Sequence, residues 1–133
     1  MRLVFLGILA SMTAQAAPTP CSLAVSVVTQ LGTYRTWTNA LENLVLSDKG
    51  YTVCQQDAPD FGYGSDAGCE TEFKLELLYR PDRMTRNITI YKNGKALFDK
   101  DYPASPPSQR MMKTIPSCAE IQQQAELQQK SAE

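Results

Sequence analysis

Cys69-Glu70-Thr71-Glu72-Phe73-Lys74-Leu75-Glu76-Leu77-Leu78-Tyr79 is the stretch on which the fold turns. Phe73, Leu75, Leu77 and Tyr79 alternate with Glu72, Lys74, Glu76 and Leu78. Such alternation puts one set of side chains on a buried strand face and leaves the other mostly in water. The segment predicts a strand in a sheet that is covered on one side.

Downstream, Pro81-Asp82 suits the centre of a type I turn. Thr85 to Tyr91 reads as the next strand, and Asn93-Gly94 marks a hairpin. A plain two-residue turn would pair Ile88 with Asp99. A turn with a glycine bulge pairs Tyr91 with Lys95, Ile90 with Ala96 and Ile88 with Phe98, matching apolar with apolar, and is preferred. Lys95 to Tyr102 is the last strand. Ser105-Pro106-Pro107 is a loop, and a short helical piece from Ser108 through Met112 is ended by Pro116. Ser117-Cys118-Ala119-Glu120 is a capping box opening a helix that turns Ile121, Ala125 and Leu127 inward. Its remaining glutamine-rich residues are polar, so its end is expected to fray.

Upstream, the β-branched alternation of Leu23, Val25 and Val27 predicts a strand from Ser22 to about Gln30. Gly32 to Thr36 reads as a connector. Asn39 and Glu42 form a capping box for a helix from Ala40 to Asp48, with Leu41, Leu44 and Val45 on one face and Trp37 packing back onto it. Gly50 suits the position after the helix end, and Tyr51 to Cys54 is a short strand. Leaving that short segment aside, the element order is β-α-β-β-β-α. The expected fold class is α+β: a two-layer sandwich, mainly antiparallel sheet with helices on one face. Every proline falls outside the predicted strands and helices.

The first residues carry a different message. Met1-Arg2, the apolar run Leu3 to Met12 and Ala14-Gln15-Ala16 match the regions of a signal peptide. The run is shorter than the roughly 20 apolar residues a membrane span needs. Residues 1–16 are therefore expected to be removed, leaving residues 17–133 as a single domain. An even set of four cysteines in a short exported chain predicts two disulfides. Position favours Cys54 with Cys69, closing a loop worth about 3 kcal/mol, and Cys21 with Cys118. Zinc is rejected because no close C-x-x-C pair exists.

Composition removes further classes. The chain of 133 residues has a net charge of −1 and no basic patch, giving little support to nucleic-acid binding. It contains no histidine, which excludes Ser-His-Asp and Cys-His catalysis and His-ligated metals. No cofactor is expected. The segment between Cys54 and Cys69 holds Asp57, Asp60 and Asp66 with Phe61, Tyr63 and three glycines. These are residues of adaptable binding loops, and a disulfide at the base would pre-organise them. Phe61 and Tyr63 would anchor a partner, and the aspartates would steer towards a basic surface. The same residues would equally suit a solvated insertion. Their spacing does not fit an EF-hand. Glu70, Glu72 and Glu76 sit on the wet face of a strand, where solubility is the ordinary reason for them.

The reading is therefore a secreted or periplasmic non-enzymatic domain that binds another extracytoplasmic protein, as an accessory subunit or an inhibitor. The alternatives are a small carboxylate-dependent hydrolase and a structural envelope protein. Asn87-Ile88-Thr89 matches an N-glycosylation acceptor, with Asn87 pointing away from the Ile88 face.

Overall fold

The computed structural model describes residues 18–54 and 70–132. In chain order the elements are β1 (Thr19–Thr29), β2 (Gly32–Arg35), α1 (Ala40–Asp48), β3 (Thr52–Val53), β4 (Thr71–Arg80), β5 (Thr85–Lys92), β6 (Lys95–Pro103), α2 (Ser108–Met112) and α3 (Cys118–Ala132). A 3-10 turn at Pro81–Arg83 joins β4 to β5. The fold is mixed α+β, built on a six-stranded sheet in the order β2-β1-β4-β5-β6, with β3 added beside β1.

The alternating strands bring their apolar sets together as rungs. Leu23 pairs with Phe73, Val25 with Leu75 and Val27 with Leu77 across β1 and β4. Leu75 then pairs with Ile90 and Leu77 with Ile88 across β4 and β5. All of these residues are buried, and they share one cluster with Val45 and Leu46 of α1, Met111 and Met112 of α2, and Ile121 of α3. The cluster is what the expected one-sided burial of β4 becomes once its neighbours are in place.

Several expectations are corrected. β1 and β4 run parallel, so the sheet is mixed at its centre, because α1 and β3 carry the chain back between them. The stretch from Gly32, read as a connector, is instead strand β2, paired antiparallel with β1. On α1, Leu41 and Leu44 are more than half exposed, while Glu42, Val45 and Leu46 are buried. The inward face is one position away from the more hydrophobic one. Leu127 of α3 is likewise exposed, and Ile121 carries the contact. Pro20 and Pro103 lie within the ends of β1 and β6, where a missing N–H costs little.

The β5–β6 register also differs from the preferred one. The hairpin is a two-residue turn, with Asn93 and Gly94 both at positive φ and Lys92 opposite Lys95. The extra residue comes further along: Tyr91 faces Ala96 but Ile90 faces Phe98, so Leu97 is bulged and Ile88 comes opposite Lys100. This keeps Ile88 and Ile90 on the buried face and returns Tyr102 to it, opposite Arg86.

Cys21 and Cys118 are joined by a disulfide across 97 positions. Cys54 is disulfide-bonded too, and its expected partner Cys69 lies outside the described residues, as do residues 1–16. The start of α3 is pinned at three further points. The Ser117–Glu120 capping box is present, the Cys118 N–H donates to Lys49 O at 2.8 Å, and the Tyr51 hydroxyl donates to Pro116 O at 2.8 Å. From there α3 runs to Ala132, through the polar stretch where fraying is expected, on residues of high helix propensity.

Closing so long a loop restricts the unfolded chain strongly. Replacing both Cys21 and Cys118 by alanine is expected to lower the urea-unfolding free energy by about 2–5 kcal/mol. A loss below about 1 kcal/mol would show that the backbone and Tyr51 contacts hold α3 without the disulfide.

Candidate functional site

The described part of the chain has one place where polar chemistry is concentrated on the buried side of the sheet. It begins with an irregular strand sequence. Arg35 ends β2, and the chain then runs through Trp37 to the Asn39 cap of α1. That short path brings Arg35 over the Trp37 ring, 5.0 Å from its centre, and puts its guanidinium against Glu42. Nη1 donates to Glu42 Oε1 at 2.8 Å and Nη2 to Oε2 at 2.7 Å, a bidentate fork. The Asn39 N–H donates to Oε1 at 3.0 Å, and the Ser108 hydroxyl donates to Oε2.

Glu42 is 0 % exposed. Burial alone would raise its pKa, but the hydrogen bonds from Arg35, Ser108 and the Asn39 backbone, together with the Arg35 charge, hold it below the usual carboxylate range. It is an ionised acceptor with its oxygens occupied. It has no proton to give and no free lone pair aimed at a substrate.

A cleft of about 490 Å³ opens beside this pair. Val27 and Thr29 of β1 and Leu77 and Tyr79 of β4 form its floor, with Tyr34, Arg35, Arg86 and Ser108 around them. Its position follows from topology. β1 and β4 are parallel neighbours, and at their carboxyl ends the chain leaves in opposite directions, to β2 on one side and to β5 on the other. Divergence of the two connections leaves a crevice between them, the same geometry that places ligands at switch points of open parallel sheets.

Arg86 is the unusual member. It lies on β5 two positions before Ile88 and four before Ile90, on the face they bury, between Tyr79 of β4 and Tyr102 of β6. One of its nitrogens, Nη2, donates to Pro106 O, while Nε is shielded from solvent with no partner. Burial pushes its pKa down, with the Tyr79 phenol acting the other way. Among the described residues no carboxylate pairs with it.

The rim of this end is apolar. Leu31, at the β1–β2 turn, is 99 % exposed, and Tyr34 and Met84 are more than half exposed. The Gln30 side chain donates to Asp82 Oδ1 at 3.4 Å, so the β1–β2 turn and the 3-10 turn stand together. Met84 follows that turn at positive φ, a strained conformation for a non-glycine residue.

Asp57, Asp60, Phe61, Tyr63 and Asp66 are outside the described residues. The sequence does not mark Arg35, Arg86 or Ser108 for binding, and it marks Glu42 only as a helix-capping residue. One signal was available for Arg86: an arginine in phase with Ile88 and Ile90 falls on the apolar face. Glu72 proves more than a solubilising charge. Its carboxylate accepts from the Cys21 N–H at 2.8 Å, Gln122 at 3.2 Å and Lys92 at 3.4 Å. Burial opposes ionisation there, but those donors prevail and lower its pKa. It borders a more polar groove of about 510 Å³ between α3 and the β5–β6 hairpin, in which Lys92 and Glu72 are already paired. Asn87 is engaged as well, donating to Asp99 and Asp101 and accepting from Thr89.

Among the described residues no group of three or more Cys, Asp or Glu side chains is placed to hold a metal. No model of a known protein family matches this sequence, and no curated protein matches it.

Glu42 and Glu72 both titrate lower in the folded chain than in the unfolded one. Their stabilisation is complete above the ordinary carboxylate pKa of 4.5 and is lost as pH falls through the folded values. Urea unfolding is therefore expected to show stability level from neutral pH to about 5 and falling below about 4.5. A curve still level at pH 3 would contradict the ionised assignment of both groups.

Proposed function

We propose that this chain is an extracytoplasmic, non-enzymatic domain that binds another protein, as an accessory subunit or an inhibitor. The observation that carries this reading is the end of the sheet just described. Exposed Leu31, Tyr34 and Met84 lie at the same end of the sheet as a cleft whose Arg86 guanidinium has no counter-charge among the described residues. Tyrosine and arginine are the side chains most enriched in recognition hot spots, and the flanking apolar residues would exclude water around them. A two-layer sandwich, with the helices over the Leu23–Phe73 face of the sheet, would give a rigid platform, and the shared cluster of Val45, Leu46, Met111, Met112 and Ile121 with that face supports this reading.

Export is supported by the signal-like residues 1–16 and by the disulfides at Cys21, Cys118 and Cys54, which persist in oxidising compartments. No helix among the described residues is long and apolar enough to cross a membrane. The acidic aromatic loop (Asp57, Asp60, Phe61, Tyr63, Asp66) would supply a second contact, directed at a basic part of the partner. The hydrolase alternative gains nothing from the two best-placed carboxyls. Glu42 and Glu72 are held ionised by their donors, whereas a general acid needs its pKa raised.

The test is affinity capture from envelope or extracellular extract with the oxidised chain as bait. A Leu31→Ser/Met84→Ser variant and a Phe61→Ala/Tyr63→Ala variant would run beside it. A partner held by the wild-type chain and lost by the Leu31/Met84 variant is the expected result. Equal capture by all three chains would move the interface away from both places, and turnover of a substrate in an activity screen would overturn the reading.

A further inference from the structure

We propose that the cleft at the carboxyl ends of β1 and β4 is a carboxylate-binding site, in which Arg86 receives an acid carried on a compact apolar body. The inference rests on the binding-domain reading and names the chemistry its cleft would take.

Among the described residues the charges at the cleft do not balance. Arg35 and Arg86 each bring a positive charge, and the carboxylate there, Glu42, is fully engaged by Arg35, Asn39 and Ser108. Arg86 is left with the Pro106 carbonyl, which accepts one hydrogen bond and carries no charge. Its Nε has no partner, and its Nη1 makes no hydrogen bond with the described residues. A guanidinium held this way has given up part of its hydration without compensation, which proteins seldom leave uncorrected. An incoming anion at Nη1 would restore it, and a charge-assisted bond at that position is about twice as strong as a neutral one.

The surroundings choose among anions. Glu42 stands close behind Arg35, so a doubly charged group would meet repulsion as well as attraction. A single negative charge fits the single unmatched cation. Val27 and Leu77 offer aliphatic contact, and Tyr34 and Tyr79 offer ring faces or edges. The volume of about 490 Å³ lies in the range of sites that take small organic ligands or a few residues of peptide. Two sources share this chemistry: a free organic acid with an apolar body, or the C-terminus of a partner chain ending in an apolar residue.

Calorimetric titration of the oxidised chain would use three probes: an N-acetylated tripeptide ending in phenylalanine with a free carboxylate, its C-terminal amide, and 3-phenylpropanoate. The free-acid peptide is expected to bind with Kd below about 1 mM. The amide and the Arg86→Gln variant should each weaken binding at least about tenfold. Arg86→Lys, which keeps the charge but not the planar donor set, should fall between the two. Matching unfolding curves for the variants and the wild-type chain would show that lost binding is not lost folding. Comparable binding of 3-phenylpropanoate would assign the site to free acids, and much weaker binding would assign it to chain termini. Either result supports the site.

Equal affinity for the acid and the amide, no effect at Arg86, or no binding by any probe up to about 10 mM would overturn it. If those failures accompany a partner still captured through Leu31 and Met84, this inference fails while the binding-domain reading stands.

Discussion

A carboxylate with no exposure to water, Glu42, ties the end of β2, the cap of α1 and the start of α2 together. β2 is four residues long and among the described residues pairs only with β1, and α2 is five residues long. β2 buries too little to be fixed by packing alone, whereas α2 also places Met111 and Met112 in the core. Glu42 collects donors from both. Arg35 reaches it from the end of β2, Ser108 from the start of α2, and Asn39 from the α1 cap. Burying the acid is costly, and the cost is offset only when every donor is present. The arrangement specifies which face of α1 turns inward and where the β1–β2 hairpin ends.

The other end of the fold is secured differently. The Cys21–Cys118 disulfide, the Tyr51 hydroxyl and the Glu72 carboxylate tie β1, α3 and β4 to one another. The Tyr51 ring also meets Phe73 edge-on, with centres 6.4 Å apart. Between these two fixed ends the sheet supplies an ordinary aliphatic core. The cleft lies at the Glu42 end, so its walls are held by the ion pair rather than by the disulfide. Loss of Glu42 would be felt at the cleft before it is felt in the core.

How much of this was legible follows from what each element depends on. β4, β5 and the start of α3 carry their signals locally, in strict alternation or a capping box, and the structure places them within a residue or two of the expected bounds. α1 has the expected ends but not the expected face. Hydrophobicity favoured Leu41 and Leu44, whereas the pairing of Glu42 with Arg35 turned the helix one position round. β2 was missed because Gly-Thr-Tyr-Arg has no alternation and owes its conformation to β1. The parallel pairing of β1 with β4 is a long-range fact without a local mark. The bulge at Leu97 replaced the expected one at the turn because Asn93-Gly94 already satisfies a two-residue turn. Of the cleft, Arg86 was visible as a charge in phase with Ile88 and Ile90, but Arg35 and Ser108 acquire their roles only through Glu42.

The claim that this buried pair organises its end of the fold is tested most directly by a double-mutant cycle in urea. Its corners are the wild-type chain, Glu42→Gln, Arg35→Met and the double variant. Glutamine keeps the capping-box geometry of α1, so its effect reports the charge. Glu42→Gln is expected to lose about 3–5 kcal/mol, and the double variant to lose clearly less than the two single changes added together. A loss below about 1 kcal/mol for Glu42→Gln, with additive single changes, is what a solvent-screened surface pair would give and would contradict it.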